Sequence, residues 1–134
     1  MKQEIPDRSP WFITTMRWAA TLFFVVAGAL HFVIPDFYLA MMPQFIPMKE
    51  TLIILTGLAE IALGIGLQIA VVRRYSGMLL IALLIGIFPA NIYVAVAQPA
   101  LPDLTYDPAS MWWRLLLQPL FIIWVWWVSV KKQL

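Results

Sequence analysis

Five polar residues stand inside otherwise apolar stretches of this sequence: His31, Glu60, Asn91, Arg114 and Gln118. Glu60 could hold or exchange a proton, and His31 could donate or accept one. Asn91 and Gln118 offer amide donors and acceptors, and Arg114 offers a fixed cation. Glu60 is the sharpest of these signals. Charged, a carboxylate in hydrocarbon costs at least a few kcal/mol, so it must be neutral, paired or turned to a wet cavity. Gly57, Glu60 and Gly64 share one helical face by their i, i+3, i+7 spacing. Small residues on that face let a neighbouring helix approach, so the acid is expected to point between helices. It would serve there either as a functional group or as a protonated carboxyl that hydrogen-bonds to a neighbouring helix.

The other four have ordinary roles when read singly. His31 would cap a helix end, Arg114 would snorkel to headgroups, and Asn91 and Gln118 would join helices. Together the five fall in one range of depth on four different segments, which defines a candidate ligand-binding pocket. Pro89 and Pro119 stand beside Asn91 and Gln118. Each frees a carbonyl one turn earlier, at Ile85 and Leu115, and permits a kink. No catalytic residue is assigned: the sequence holds no H-E-x-x-H, glycine-rich phosphate loop or nucleophile elbow. Whether the chain is an enzyme stays open, with a non-catalytic role favoured. Met41, Met42 and Met48 with His31 would make a soft Cu(I) ligand set. Methionine is equally an ordinary apolar filler, and no metal site is assigned. With one histidine and no cysteine, bis-histidine haem, zinc-thiolate, iron–sulfur and thiol redox chemistry within the chain are excluded.

The segments that carry these residues are membrane segments. Of 134 residues, 63% are hydrophobic and 12% charged, and the mean hydropathy is +0.86. A soluble domain is about half apolar and a quarter charged, so a soluble enzyme, a disordered chain and a nucleic-acid binder are all excluded. About 20 apolar residues cross a hydrocarbon core. Residues 10–34, 51–72, 75–97 and 111–130 are expected to do so, giving an all-α, antiparallel four-helix transmembrane bundle. Residues 10–130 form its one domain, with cytoplasmic tails at 1–9 and 131–134. Ser9-Pro10 and Asp107-Pro108 supply the N-cap and N1 chemistry of helix starts.

With the N-terminus inside, the cytoplasmic side holds Lys2, Arg8, Arg17, Arg73, Arg74, Lys131 and Lys132, and the outer side only Lys49 and Arg114. The positive-inside rule then puts both ends in the cytoplasm. The run from Arg17 to Ala29 imitates a signal peptide, but the apolar stretch begins before it at Trp11 and continues to Ile34. An uncleaved first helix is expected. Glu60 lies roughly 13 Å below the outer boundary at 1.5 Å per residue. Residues 35–50 hold three prolines among many apolar side chains and read as a lid loop on the outer interface. Trp11, Trp18, Tyr38, Tyr75, Tyr106, Trp112 and Trp113 near span ends read as interfacial anchors, and Trp124, Trp126 and Trp127 as a second belt. The polar residues cluster in the outer half, which favours an outward-facing pocket over a through-channel.

Span one ends in Ala27-Gly-Ala-Leu-His31-Phe32, span two carries the glycine-flanked Glu60, and span three carries Phe88-Pro-Ala-Asn91-Ile-Tyr93. In these features the chain resembles the DoxX-like family of small four-helix bacterial membrane proteins, from about Arg17 to Trp127. The resemblance implies a four-helix bundle in the bacterial cytoplasmic (inner) membrane. It also implies a link to redox systems, with Glu60 and Asn91 as the family-type polar residues.

The leading expectation is an accessory or ligand-binding subunit. Its pocket residues are His31, Glu60, Asn91, Arg114 and Gln118, its ligand a small apolar or quinone-like molecule. The alternative is a proton-coupled small-molecule transporter working through Glu60. No resident cofactor is expected beyond such a quinone-like or lipid-like ligand. The expected partners are the bilayer, a membrane or soluble redox protein and further copies of the chain.

Overall fold

The computed structural model describes residues 11–97 and 108–131. Its elements are α1 (Trp11–Val33), α2 (Pro35–Met41), α3 (Lys49–Gly66), α4 (Arg73–Ala97) and α5 (Pro108–Val125), the last continued by a π-helical turn over Trp126–Val130. The all-α class holds, and no strand occurs among the described residues. Helices α1, α4 and α5 with its π turn are long and apolar enough to cross a membrane. They mark a membrane protein. Their outward faces are large and apolar: Leu22, Val26, Leu79, Ile85, Leu116 and Ile123 are all exposed, as side chains against lipid would be.

Two boundaries differ from the sequence reading. Four helices were expected, and the described residues form five, because the lid begins with a helix. Pro35 occupies the first turn of α2, where its fixed φ suits a helix and its missing N–H costs nothing. Asp36 in the same turn complements the helix dipole. The second expected span, 51–72, stops at Gly66 instead. There the Arg73 side chain takes two end carbonyls: Nε donates to Leu67 at 2.7 Å and a terminal N–H to Gln68 at 3.4 Å. Carbonyls at a helix end need such donors. Arg73 is therefore the first residue of α4 and not part of a bare turn. Helix α5 starts at Pro108 as expected. The Ser9-Pro10 start, Asp107 and the loop 98–107 lie outside the described residues.

Helices α1 and α3 make the closest pair. A Cβ on Gly28 would lie 2.6 Å from the Gly57 carbonyl oxygen, and one on Gly57 would lie 2.8 Å from the His31 Cβ. Only hydrogen fits at both places. The glycine face read from the sequence is thus the face α3 turns to α1. Ala20, Phe24, Leu67, Leu80, Leu84, Val125 and Val128 form the main core, at the end away from the lid.

That far end is also closed by polar bonds. Arg17 is buried, and its Nε donates to the Val128 carbonyl in the π-helical turn at 2.9 Å. Gln68 donates to the Arg17 carbonyl at 3.1 Å and to the Thr21 hydroxyl at 2.7 Å, and Thr21 donates to the Gly64 carbonyl at 2.8 Å. Arg17, counted above among the charges of the membrane edge, is instead an internal tie between α1 and the end of α5. Thr21, which is buried, has its hydroxyl satisfied in this way, as buried polar groups usually are.

Candidate functional site

Between the long helices and α2 lies a cavity of about 370 Å³, within the usual range of small-molecule sites. Its wall is mainly apolar, with Phe23, Phe24, Leu84 and Phe121 prominent. All five polar residues singled out from the sequence line it: His31, Glu60, Asn91, Arg114 and Gln118. Helical spacing explains why they meet. His31 lies one turn beyond Gly28 on α1, and Glu60 lies one turn from Gly57 on α3, so the glycine contact sets the two side chains face to face. Nδ1 of His31 is 3.7 Å from Oε2 of Glu60.

The hydrogen bonds around this pair place the imidazole hydrogen. His31 Nδ1 is 2.9 Å from the Ala27 carbonyl oxygen. A carbonyl can only accept, so Nδ1 carries a hydrogen, and in the neutral ring Nε2 holds the lone pair. Oε2 of Glu60 is the carboxyl oxygen that faces this side of the imidazole. At 3.7 Å the contact is too long for a hydrogen bond, and Oε2 is buried without a hydrogen-bond partner. The interhelical hydrogen bond considered for Glu60 is not formed.

Asn91 and Gln118 make a second, satisfied unit. Asn91 Nδ2 donates to Gln118 Oε1, and Gln118 Nε2 donates to the Leu84 carbonyl. Gln118 is buried, and both ends of its amide tie α5 to α4. This is the joining role read for it singly, though it also lines the cavity. Arg114 sits nearer the lid. Its guanidinium lies 5.9 Å from the centre of the Phe37 ring and donates toward the Met41 sulfur at 3.7 Å. Among the described residues no carboxylate pairs with it.

Tyr38 and Thr56 line the cavity without having been read as pocket residues, and Met41, weighed only for copper, lines it too. The Tyr38 ring stacks on His31, with centroids 4.0 Å apart and planes at 17°. It was read as an interfacial anchor and is instead the underside of the lid. The Thr56 hydroxyl is spent on the Leu52 and Ile53 carbonyls, at 2.8 and 3.1 Å, which leaves its oxygen free to accept. Met48 is exposed and outside the lining, so the methionines weighed for copper do not converge. It also starts α3 with φ 55°, in the left-handed region that non-glycine residues seldom occupy. Among the described residues no cluster of three or more His, Asp or Glu stands ready for a metal ion.

Tyr38 belongs to the lid and not to a spanning helix. Burial pushes its phenol up, the Glu60 charge adds to the shift, and Arg114 opposes it. Because the folded value exceeds the unfolded one, the stability contributed is complete below about pH 10 and is lost as pH rises through the folded value. The melting temperature should fall more steeply above pH 10 in wild type than in Tyr38→Phe. Parallel alkaline profiles would show the phenol to be solvated.

No curated protein and no solved structure matches the chain. A family model does match, over residues 20–129, and this stretch holds α1 from Ala20, the lid, every cavity-lining residue and most of the π-helical turn. The chain belongs to the family described as a domain of unknown function (DUF8561).

Proposed function

We propose that this is a multi-pass protein of the bacterial cytoplasmic membrane, related to DoxX-like proteins, whose cavity binds a small, mainly apolar, quinone-like molecule. Four spans cross the bilayer in this reading, with α3 as the fourth. Lys49 and Glu50 occupy its first turn at the interface, so Glu60 is the one charged residue in its interior. Arg73, Arg74 and Lys131 lie at one end of the long helices and Lys49 and Arg114 toward the other, which supports cytoplasmic termini and an outward-facing lid. The protein works as an accessory or ligand-binding subunit, beside a redox partner or as a homo-oligomer.

One observation carries this reading: five polar groups from four helices converge on one apolar cavity, and one of them, Glu60 Oε2, is buried with no partner. An unsatisfied buried polar group costs about 1–3 kcal/mol, so Glu60 is held here at a cost that packing alone does not require. The same oxygen supports the second reading, proton-coupled transport, in which Glu60 exchanges its proton for a substrate. Mass spectrometry of purified protein should find a lipid-soluble molecule, and short-chain quinone analogues should raise the melting temperature by several degrees. Neither effect in a folded protein would remove the binding reading. Substrate-induced proton release, lost in Glu60→Gln, would select transport.

A further inference from the structure

We propose that the cavity takes an amphiphile with a long hydrocarbon chain. Its head occupies the cavity, and its chain leaves sideways between α1 and α5 into the bilayer. This rests on the binding reading above and names the form of the ligand and its route.

The seam between α1 and α5 changes along its length. Helix α1 packs chiefly on α3. The face it turns to α5 carries Met16, Phe23 and Leu30, by their i, i+7, i+14 spacing. The matching face of α5 carries Trp113, Leu117, Phe121 and Trp124, at i, i+4, i+8 and i+11. Away from the lid the two faces are fastened. Trp124 Nε1 donates to the Met16 carbonyl at 3.2 Å, and both side chains pack on the main core. Next comes the Phe23–Phe121 ring pair, with centroids 4.9 Å apart and planes at 33°. Beyond that pair, toward the lid, the faces separate. Leu30 is 37% exposed, Leu117 40% and Trp113 63%, so the described residues leave the seam open there.

This exposure is more than the surface of the cavity itself. Leu30 and Trp113 lie outside the cavity wall, whereas Phe23, Ala27 and Leu117 belong to it. Phe23 and Leu117 are thus both cavity wall and exposed surface, which makes the seam continuous with the cavity. Ala27, one turn beyond Phe23, obstructs that opening with only a methyl group. The lid covers the other approach: Tyr38 stacks on His31, and Arg114 lies against the Phe37 ring and the Met41 sulfur. At about 370 Å³ the cavity is near the lower end of the volumes that hold a drug-sized molecule. A ring head with a short chain fills it, and a longer chain has to leave. The seam gives that chain an apolar way out at membrane depth. Lipid tails are as apolar as leucine, so a chain that stays in lipid neither strengthens nor weakens the complex.

The test uses the full chain in nanodiscs and benzoquinones that share one ring and carry a butyl, decyl or eicosyl chain. Binding is read from melting-temperature shifts and expressed per bilayer mole fraction, because each added methylene also strengthens partition into lipid. The three should bind within about threefold of one another. In Leu117→Trp, which fills the seam, the eicosyl compound should weaken about tenfold or more and the butyl compound less than about threefold. Leu30→Trp, outside the cavity wall, should act the same way and serves if Leu117→Trp does not fold. Because the chain has no cysteine, a spin label on Leu30→Cys reads the seam without a ligand. It should collide more with oxygen dissolved in lipid than with a water-soluble nickel chelate. Butyl binding with the longer chains rejected would show an enclosed cavity, overturning this inference and leaving the binding reading intact. Eicosyl binding unchanged in both tryptophan variants would overturn the α1–α5 exit, as would a label shielded from oxygen by a second copy of the chain. No quinone binding a folded protein would remove the binding reading, and this inference with it.

Discussion

Gly28→Val should separate α1 from α3 and lower stability by about 3 kcal/mol or more, beyond the usual 1–3 kcal/mol of overpacking. The reason is what the new side chain would meet. Its Cβ would lie 2.6 Å from the Gly57 carbonyl oxygen, 2.7 Å from the Ile61 Cγ1 and 3.1 Å from the Ile61 nitrogen. Two of those atoms belong to the backbone of α3, so no rotamer change relieves the overlap and the helices must part. Parting them also removes the site, because His31 and Glu60 face each other only through this contact. Gly28→Ala should behave similarly at smaller scale. In detergent unfolding experiments both variants should melt below wild type, and both should lose the melting shift given by apolar ligands. A Gly28→Val protein that melts like wild type would show that α1 and α3 do not pack through these glycines.

This contact also shows how far the sequence was legible. Spacing alone places Gly57, Glu60 and Gly64 on one face, and the i, i+3 and i+4 intervals that link Ala27, Gly28 and His31 make another. It did not say that these two faces meet, because an apolar helix offers several small-residue faces and pairing is decided by fit across the whole assembly. The five polar residues were legible because a polar group in an apolar segment needs a reason whatever its neighbours. The lid was only half legible. Pro35 supplies the N1 proline recognised at Asp107-Pro108, but Ile34 before it offers no side-chain cap, and three prolines within 16 residues argued for a loop. Tyr38 was missed for a related reason. Aromatic residues near span ends are so often interfacial anchors that composition cannot distinguish one stacked on a buried histidine. The end of α3 at Gly66 was illegible because Leu67 to Val72 stays largely apolar. The stop is set by Arg73, a side chain that reaches back from the next helix.

Gln118→Leu should cost about 1–3 kcal/mol and loosen α4 from α5. The substitution nearly preserves volume, so the loss is polar. Gln118 is 3% exposed and links Asn91 to the Leu84 carbonyl; its loss leaves an amide N–H and a carbonyl oxygen without their partner at one place in the interior. Such groups cost about 1–3 kcal/mol each in soluble proteins. Interhelical bonds in membranes average nearer 0.6 kcal/mol, with a maximum near 1.7, because the unfolded chain in lipid also finds partners. Two lost bonds at the membrane scale fall inside the stated range. The Leu84 carbonyl lies one residue before Ile85, whose helical donor is the one Pro89 removes, so α4 has little spare bonding there. Removing both side-chain partners should be cheaper than the two single changes combined, since Asn91→Leu with Gln118→Leu leaves no orphaned amide. A double-mutant cycle on unfolding in mixed micelles measures this coupling. Strict additivity would mean that the Asn91–Gln118 bond contributes nothing to helix association, and that Asn91 is free to turn its whole amide to the cavity.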